Sequence, residues 1–213
     1  MKTKDYILQL IDEGEHEHQD FKYQISDAKK IARSISAFAN NSGGRLLVGV
    51  KDNGHIAGVK SDEEIYMIEQ AATMYCRPKQ QMNFQLFKVE GKSVLLAEVA
   101  EAQVKPVQAP DENGHWKVYY RVADENVLAS GVHVKALKHK NCDEDGALLN
   151  FSEKERELLE YLDLHGGITL SGFSKLAHIS RFAAEDAIVK LLEMNVITLN
   201  YHNGTCLITK SNK

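Results

Sequence analysis

The chain has 213 residues with 26 Lys and Arg against 30 Asp and Glu, a formal net charge of -4, and its first 140 residues hold 19 of each sign. This length suits one or two domains, and the charge excludes a uniformly basic surface, so any phosphate-binding face has to be a local patch. No apolar run reaches the roughly 18 residues of a membrane span, and Cys76, Cys142 and Cys206 form no CxxC pair, so the expectation is a cytoplasmic protein with no membrane partner, no zinc cluster and no redox pair.

At the N-terminus, Tyr6, Ile7, Leu10 and Ile11 recur at helical spacing among charges, which is not the pattern of a signal-peptide core. EHEHQDFK follows at residues 15–22, where a two-residue period points His16 and His18 to one face of an extended segment. Those imidazoles are either zinc ligands or solvent-facing polar groups. Residues 27–39 put Ile31, Ile35, Phe38 and Ala39 on one helical face, and the helix stops at NNSGG. RLLVGVKD reads as a buried strand, and KDNGHIAGV as an Asn-Gly turn into a second strand. A helix at about 62–75, strands at about 82–89 and 93–100, and a strand at WKVYYRV complete an α+β unit. NNSGG does not make a phosphate loop, because the glycines follow a helix and precede a strand and no GxxxxGK[ST] is present, so ATP is not an expected cofactor.

Residues 138–150, KHKNCDEDGALLN, carry charge runs without periodicity and read as a linker, giving domains at 1–140 and 151–213 with the linker at 141–150. Ser152 and Glu155 form a capping box ahead of Leu158, Leu159 and Leu162, while Thr169 and Ser180 are positioned to cap two further helices. Two short strands joined through Asn203-Gly204 end the chain. This is the element order of a winged helix-turn-helix, with SRFAAED at the front of its recognition helix. Arg181 is its strong phosphate contact and Lys190 a weaker one, whereas Glu185 and Asp186 repel a backbone. Other basic residues gather at Lys29, Lys30 and Arg33, at Arg77 and Lys79, and at Lys135, Lys138, His139 and Lys140, and each group is either a phosphate contact or a solvated face.

GEHEHQDFK, ISAFANNSGGRLLVGVKDNGHIAGV and KPVQAP...VYYRVADEN resemble the Schlafen-type AlbA-like domain of many bacterial proteins, over about residues 13–137. The resemblance implies a small mixed α/β domain that contacts nucleic acid, frequently followed by a winged helix. Arg121 in YYRV matches a recurrent arginine of that family, with Asn126 following. The resemblance further implies, for the nuclease members, a three-carboxylate site to which Glu15, Asp20 and Asp52 correspond, with Lys22 steadying phosphate and Mg²⁺ or Mn²⁺ as the ion. Such oxygen clusters suit hard divalent cations that activate water, although Asp20 stands where the family more often has Glu. Three functions follow: a nucleic-acid-binding protein acting as a DNA-binding transcriptional regulator, a metal-dependent endoribonuclease, or a protein-interaction adaptor. The first leads, with DNA or RNA as partner and no required cofactor, and a homodimer would double a weak basic patch.

Overall fold

A computed structural model of the chain describes residues 3–139, 152–202 and 204–211, and its contacts divide into two compact units, Met1–Leu128 and Ala129–Lys213. The first unit runs α1 (Thr3–Glu13), β1 (Gln19–Lys22), α2 (Ala28–Asn40), β2 (Gly44–Val48), α3 (Glu63–Met74), β3 (Met82–Val89), β4 (Lys92–Val99), β5 (Gln108–Pro110), β6 (Trp116–Val122) and β7 (Glu125–Leu128). One sheet has the order β1-β2-β4-β3, with β1 parallel to β2 and the other pairs antiparallel. A second, antiparallel sheet has the order β5-β6-β7. The parallel pair needs a crossover, and α2 supplies it.

Side chains alternate along β2 and β4, so both faces of the larger sheet are buried. Leu46, Val48, Leu95, Ala97 and Val99 join α2 and α3 in one core, whereas Leu47, Val94 and Leu96 pack with Phe21, Phe87, Ile7 and Leu10 under α1. α2 also packs against β5 and β6, so it is buried nearly all round and even Ser34, Ser36 and Asn40 are covered. Asp27 caps its start by accepting from the backbone N–H of Lys29 at 2.8 Å and of Lys30 at 3.3 Å. At its end the chain must pass close to β4. A Cβ on Gly43 (φ +81°) would lie 2.8 Å from the Val99 carbonyl oxygen, and one on Gly44 would lie 2.3 Å from the Phe38 ring.

The expected hairpin after β2 is only half formed. Its turn closes with Gly54 N–H to Lys51 C=O at 2.8 Å and Lys51 N–H to His55 C=O at 3.0 Å, but the return arm stops at the Val50–Ile56 bridge. The Gly49 carbonyl takes the N–H groups of Ala57 and Gly58, and Val59 donates to Ser93, which draws the chain toward β4.

The second unit runs α4 (Gly131–His139), α5 (Glu153–His165), β8 (Gly167–Ile168), α6 (Leu170–Leu176), α7 (Arg181–Glu193), β9 (Ile197–His202) and β10 (Thr205–Lys210), with an antiparallel sheet ordered β8-β10-β9. The Ser152–Glu155 capping box forms, and Thr169 and Ser180 cap α6 and α7 as their positions predict. Val132 of α4 sits in a core with Leu158, Phe173, Ile188 and Ile208. The division therefore falls after Leu128, ahead of the expected end at 140, because α4 packs on α7. Lys140, Cys142, the 141–150 linker, Asn203 and Lys213 lie outside the described residues, as does the His139 side chain. No described helix is long and apolar enough to cross a membrane.

Candidate nucleic-acid interface and the Glu15–Asp20 corner

The segment before β1 turns back on itself through paired backbone bonds between His16 and Gln19, and this brings Glu15 over the outer side of the strand. Its Oε1 accepts the Phe21 backbone N–H at 2.8 Å. Glu15 and Asp20 also share a side-chain hydrogen bond. Burial, that bond and the Asp20 charge push the Glu15 carboxyl up to about 7. For Asp20 burial is the largest single influence and opposes ionisation, but the bond from Glu15 and the charges of Lys22 and Arg121 outweigh it, so Asp20 is held below its usual value. The corner therefore favours the proton on Glu15 and the charge on Asp20.

That charge is already spent within the fold. Asp20 Oδ2 lies 2.7 Å from Lys22 Nζ and Oδ1 lies 3.4 Å from Arg121 Nη2. Arg121 is 1 % exposed, donates to the Gln19 carbonyl at 3.3 Å and to Asn126 Oδ1 at 3.0 Å, and lies 5.1 Å from the Phe38 ring centroid. Asp52 is exposed in the 51–55 turn, and among the described residues no three His, Cys, Asp or Glu side chains are grouped to hold a metal ion. Asp20 is already ion-paired on both oxygens and Asp52 is not grouped with the other two acids, so the described residues do not gather the three-carboxylate set that Mg²⁺ or Mn²⁺ would need. Among the described residues the histidines join no group of three ligands either: His18 Nδ1 is 3.1 Å from the Gly43 carbonyl oxygen and His16 Nε2 is 3.9 Å from Glu13.

NNSGG proves to be a backbone clamp. Asn40 Nδ2 donates to the carbonyls of Val107 (2.9 Å) and Tyr119 (2.8 Å), and its Oδ1 accepts from Val107 N–H at 2.7 Å. Asn41 brackets Arg121, donating to its carbonyl at 3.0 Å and accepting its N–H at 3.1 Å. Buried Lys105 donates to the carbonyls of Asn40 and Asn41 at 2.8 and 2.9 Å, closing the end of α2, where lone carbonyls need partners. Sequence reasoning missed Lys105. The only local signal was a lysine in an otherwise apolar VKPV stretch.

The basic residues divide sharply by exposure. Arg121, expected to touch nucleic acid, is out of reach of a phosphate because it is buried among Asp20, Gln19 and Asn126. Lys22 is half-buried and holds Asp20. Lys190 is half-buried, 3.1 Å from Glu155, and Arg181 is exposed but 3.2 Å from Glu185. Lys138 is exposed. The other groups converge: Lys29 Nζ lies 5.8 Å from the Tyr75 ring centroid, Arg77 pairs by backbone with Gln108 of β5, and Arg33 Nε donates to Pro110 of the same strand at 3.1 Å. The Arg77 guanidinium lies 3.8 Å from the ring centroid of Trp116, which pairs with Pro110. Exposed Lys30, Lys79 and Lys117 flank them. One acid, Glu112, reaches Arg33 at 3.6 Å.

No curated protein matches the chain. Among solved structures it is similar to the DIP2311 protein of Corynebacterium diphtheriae, at 17% identity and a TM-score of 0.47, over 92% of this chain and 40% of that one. The chain thus spans less than half of that protein's length. It is also similar to the N-terminal domain of a RecG-related protein from Nitrosomonas europaea, at 19% identity and a TM-score of 0.39, over 72% of this chain and 98% of that one. The family model described as Schlafen, AlbA_2 matches residues 15–130, over half of the chain, and the chain belongs to that family.

Proposed function

We propose that the protein binds nucleic acid through the β5–β6 side of its first unit, with Lys29, Lys30, Arg33, Arg77 and Lys79 on phosphates and Trp116 and Tyr75 as stacking surfaces. The observation that carries this reading is the convergence on one face of two basic groups far apart in sequence, with two aromatic rings beneath them. Cations fix a backbone and rings accept unstacked bases, a combination that serves DNA and RNA alike. The membership in the Schlafen, AlbA_2 family agrees with it.

In the same reading the second unit is a winged helix, α7 is its recognition helix with Arg181 foremost, and the protein is a homodimeric DNA-binding transcriptional regulator. The support is the order of helices and the three-stranded antiparallel sheet. Anisotropy titrations with duplex DNA and with RNA, from about 50 mM salt upward, test the binding. Affinity is expected to fall linearly on a log-log plot, by about 0.9 per phosphate neutralised on duplex. A Lys29→Ala/Lys30→Ala/Arg77→Ala variant is expected to flatten that slope by about two to three. No retention of either nucleic acid at the lowest salt leaves the adaptor function in its place. An unchanged slope in the variant moves the contact to the second unit.

A further inference from the structure

The two edges of the four-stranded sheet are finished in opposite ways. Along β1 the carbonyls of His18 and Lys22 face β2, accepting from Arg45 and Gly49, and the outward groups are closed by the His16 backbone and by side chains. Glu15 takes the Phe21 N–H, Arg121 the Gln19 carbonyl and Lys22 the Phe21 carbonyl. β3, at the other edge, is eight residues long against four and pairs with β4 without a bulge from Met82–Val99 to Val89–Lys92. Among the described residues no hydrogen bond reaches its backbone except from β4. Edge strands that stay single are blunted by proline, bulges, inward charges or a covering segment. Among the described residues β3 has no proline, bulge, charge or backbone-bonded covering segment from Met82 to Phe87.

An apolar surface adjoins this open edge. Met82, Phe84 and Leu86 share the face that covers α2 and α3, since they pair with Val99, Ala97 and Leu95 of that core. Leu86 is nevertheless 57 % exposed, and beside the strand Tyr66 (68 %) and Met74 (62 %) border a hollow of about 430 Å³ with Met82 and Phe84.

We propose that β3 pairs antiparallel with β3 of a second copy of the chain, joining two four-stranded sheets into one of eight. Antiparallel pairing is self-complementary, so a single two-fold axis satisfies both open edges with one surface. An axis normal to the sheet keeps each face on its own side, which puts Gln85 or Leu86 on the axis. Lys88, the only charge on the strand, then meets Phe84 or Met82 of the second copy, so no like charges are opposed. Seven residues at about 3.4 Å each, with one side-chain layer on either face, bury roughly 450 Å² per copy, the size of a small, reversible interface. This inference rests on the dimeric state named above.

Sedimentation equilibrium of the full chain across the micromolar range tests it, beside Leu86→Lys and Leu86→Glu variants whose retained fold is checked by circular dichroism. The wild type is expected to dimerise with concentration, each variant to be monomeric, and an equimolar mixture of the two to dimerise again because opposite charges then lie opposite or diagonal to one another beside the axis. A monomeric wild type, or variants as dimeric as the wild type, overturns the proposal. Anisotropy on the same samples separates the two readings: a monomeric wild type that retains nucleic acid sinks the interface and leaves the binding function standing.

Discussion

Arg121 ties together residues that no local pattern connects: Gln19 102 positions away, Asp20 on the same strand, and Asn126 across the β6–β7 pair. Among the described residues its Nε has no hydrogen-bond partner, and the guanidinium is held through Nη1 and Nη2. Removing it leaves buried Asp20 with Lys22 as its one cation partner among the described residues, and Arg121→Met is expected to cost about 3–5 kcal/mol in urea unfolding. An Asp20→Asn/Arg121→Met double variant recovers part of that loss, since two matched neutral groups replace a broken pair. Glu15 makes a pH prediction with a definite sign. Its folded value of about 7 lies above the ordinary 4.5, so the folded state binds the extra proton and the stability this gives is complete below 4.5 and lost as pH rises to about 7. Asp20, held below its usual 3.8, acts oppositely and only in stronger acid, where protonating it removes its contribution. Glu15→Gln keeps a neutral donor toward Asp20, so its unfolding midpoints stay level between pH 4.5 and 7.5 while those of the wild type decline. Parallel curves for the two proteins would refute the shared proton.

At the scale of elements, α2 and the turn after it set the first unit's architecture. Gly44 lies where the chain leaves α2 and enters β2, with the Phe38 ring in the space a Cβ would take. Phe38 is wholly buried and cannot move aside cheaply. Gly44→Ala is therefore expected to destabilise the protein by about 1–3 kcal/mol, the usual cost of overpacking. Thermal unfolding checks it, and an unchanged midpoint would mean that the ring has somewhere to go. The same region separates what is legible in a sequence from what is not. The helix at 27–39, the strands around β2, β3, β4 and β6, and the three caps of the second unit are written in local periodicity and in single residues such as Asp27 and Ser152. β5 and β7, of three and four residues, are too short to show alternation and exist only through β6. The acids at 15 and 20 are legible as a pair, but their meaning depends on Arg121, whose burial no spacing reveals. Asp52 fits the third place of that long-range pattern, yet it is exposed in a turn and is not grouped with the other two. The exposed basic face was visible only as two unrelated groups, because β5 is what joins them.

For the whole molecule, the division after Leu128 predicts which pieces fold. The cores of the first unit draw on no residue beyond Tyr119, and the core of the second begins with Val132. α4 completes that second core: Val132 is 3 % exposed, Ala136 packs beside it, and the Ser130 N–H and the His133 ring reach Tyr201 Oη at 3.1 and 3.0 Å. A fragment of residues 129–213 keeps all of this, whereas 141–213, cut where composition alone puts the linker, strips a buried valine and two partners of the half-buried Tyr201 hydroxyl. Burying one such side chain is worth about 1.5–3 kcal/mol, and each lost hydrogen bond adds about 1. The longer fragment is therefore expected to be more stable by about 3 kcal/mol or more, read as a higher urea midpoint with a sharp, two-state transition. If both fragments unfold at the same midpoint, α4 is only resting on α7 and the division belongs after 140. If 129–213 alone is cooperative, α4 is part of the second unit, and the segment from 141 on connects two of its helices rather than two domains.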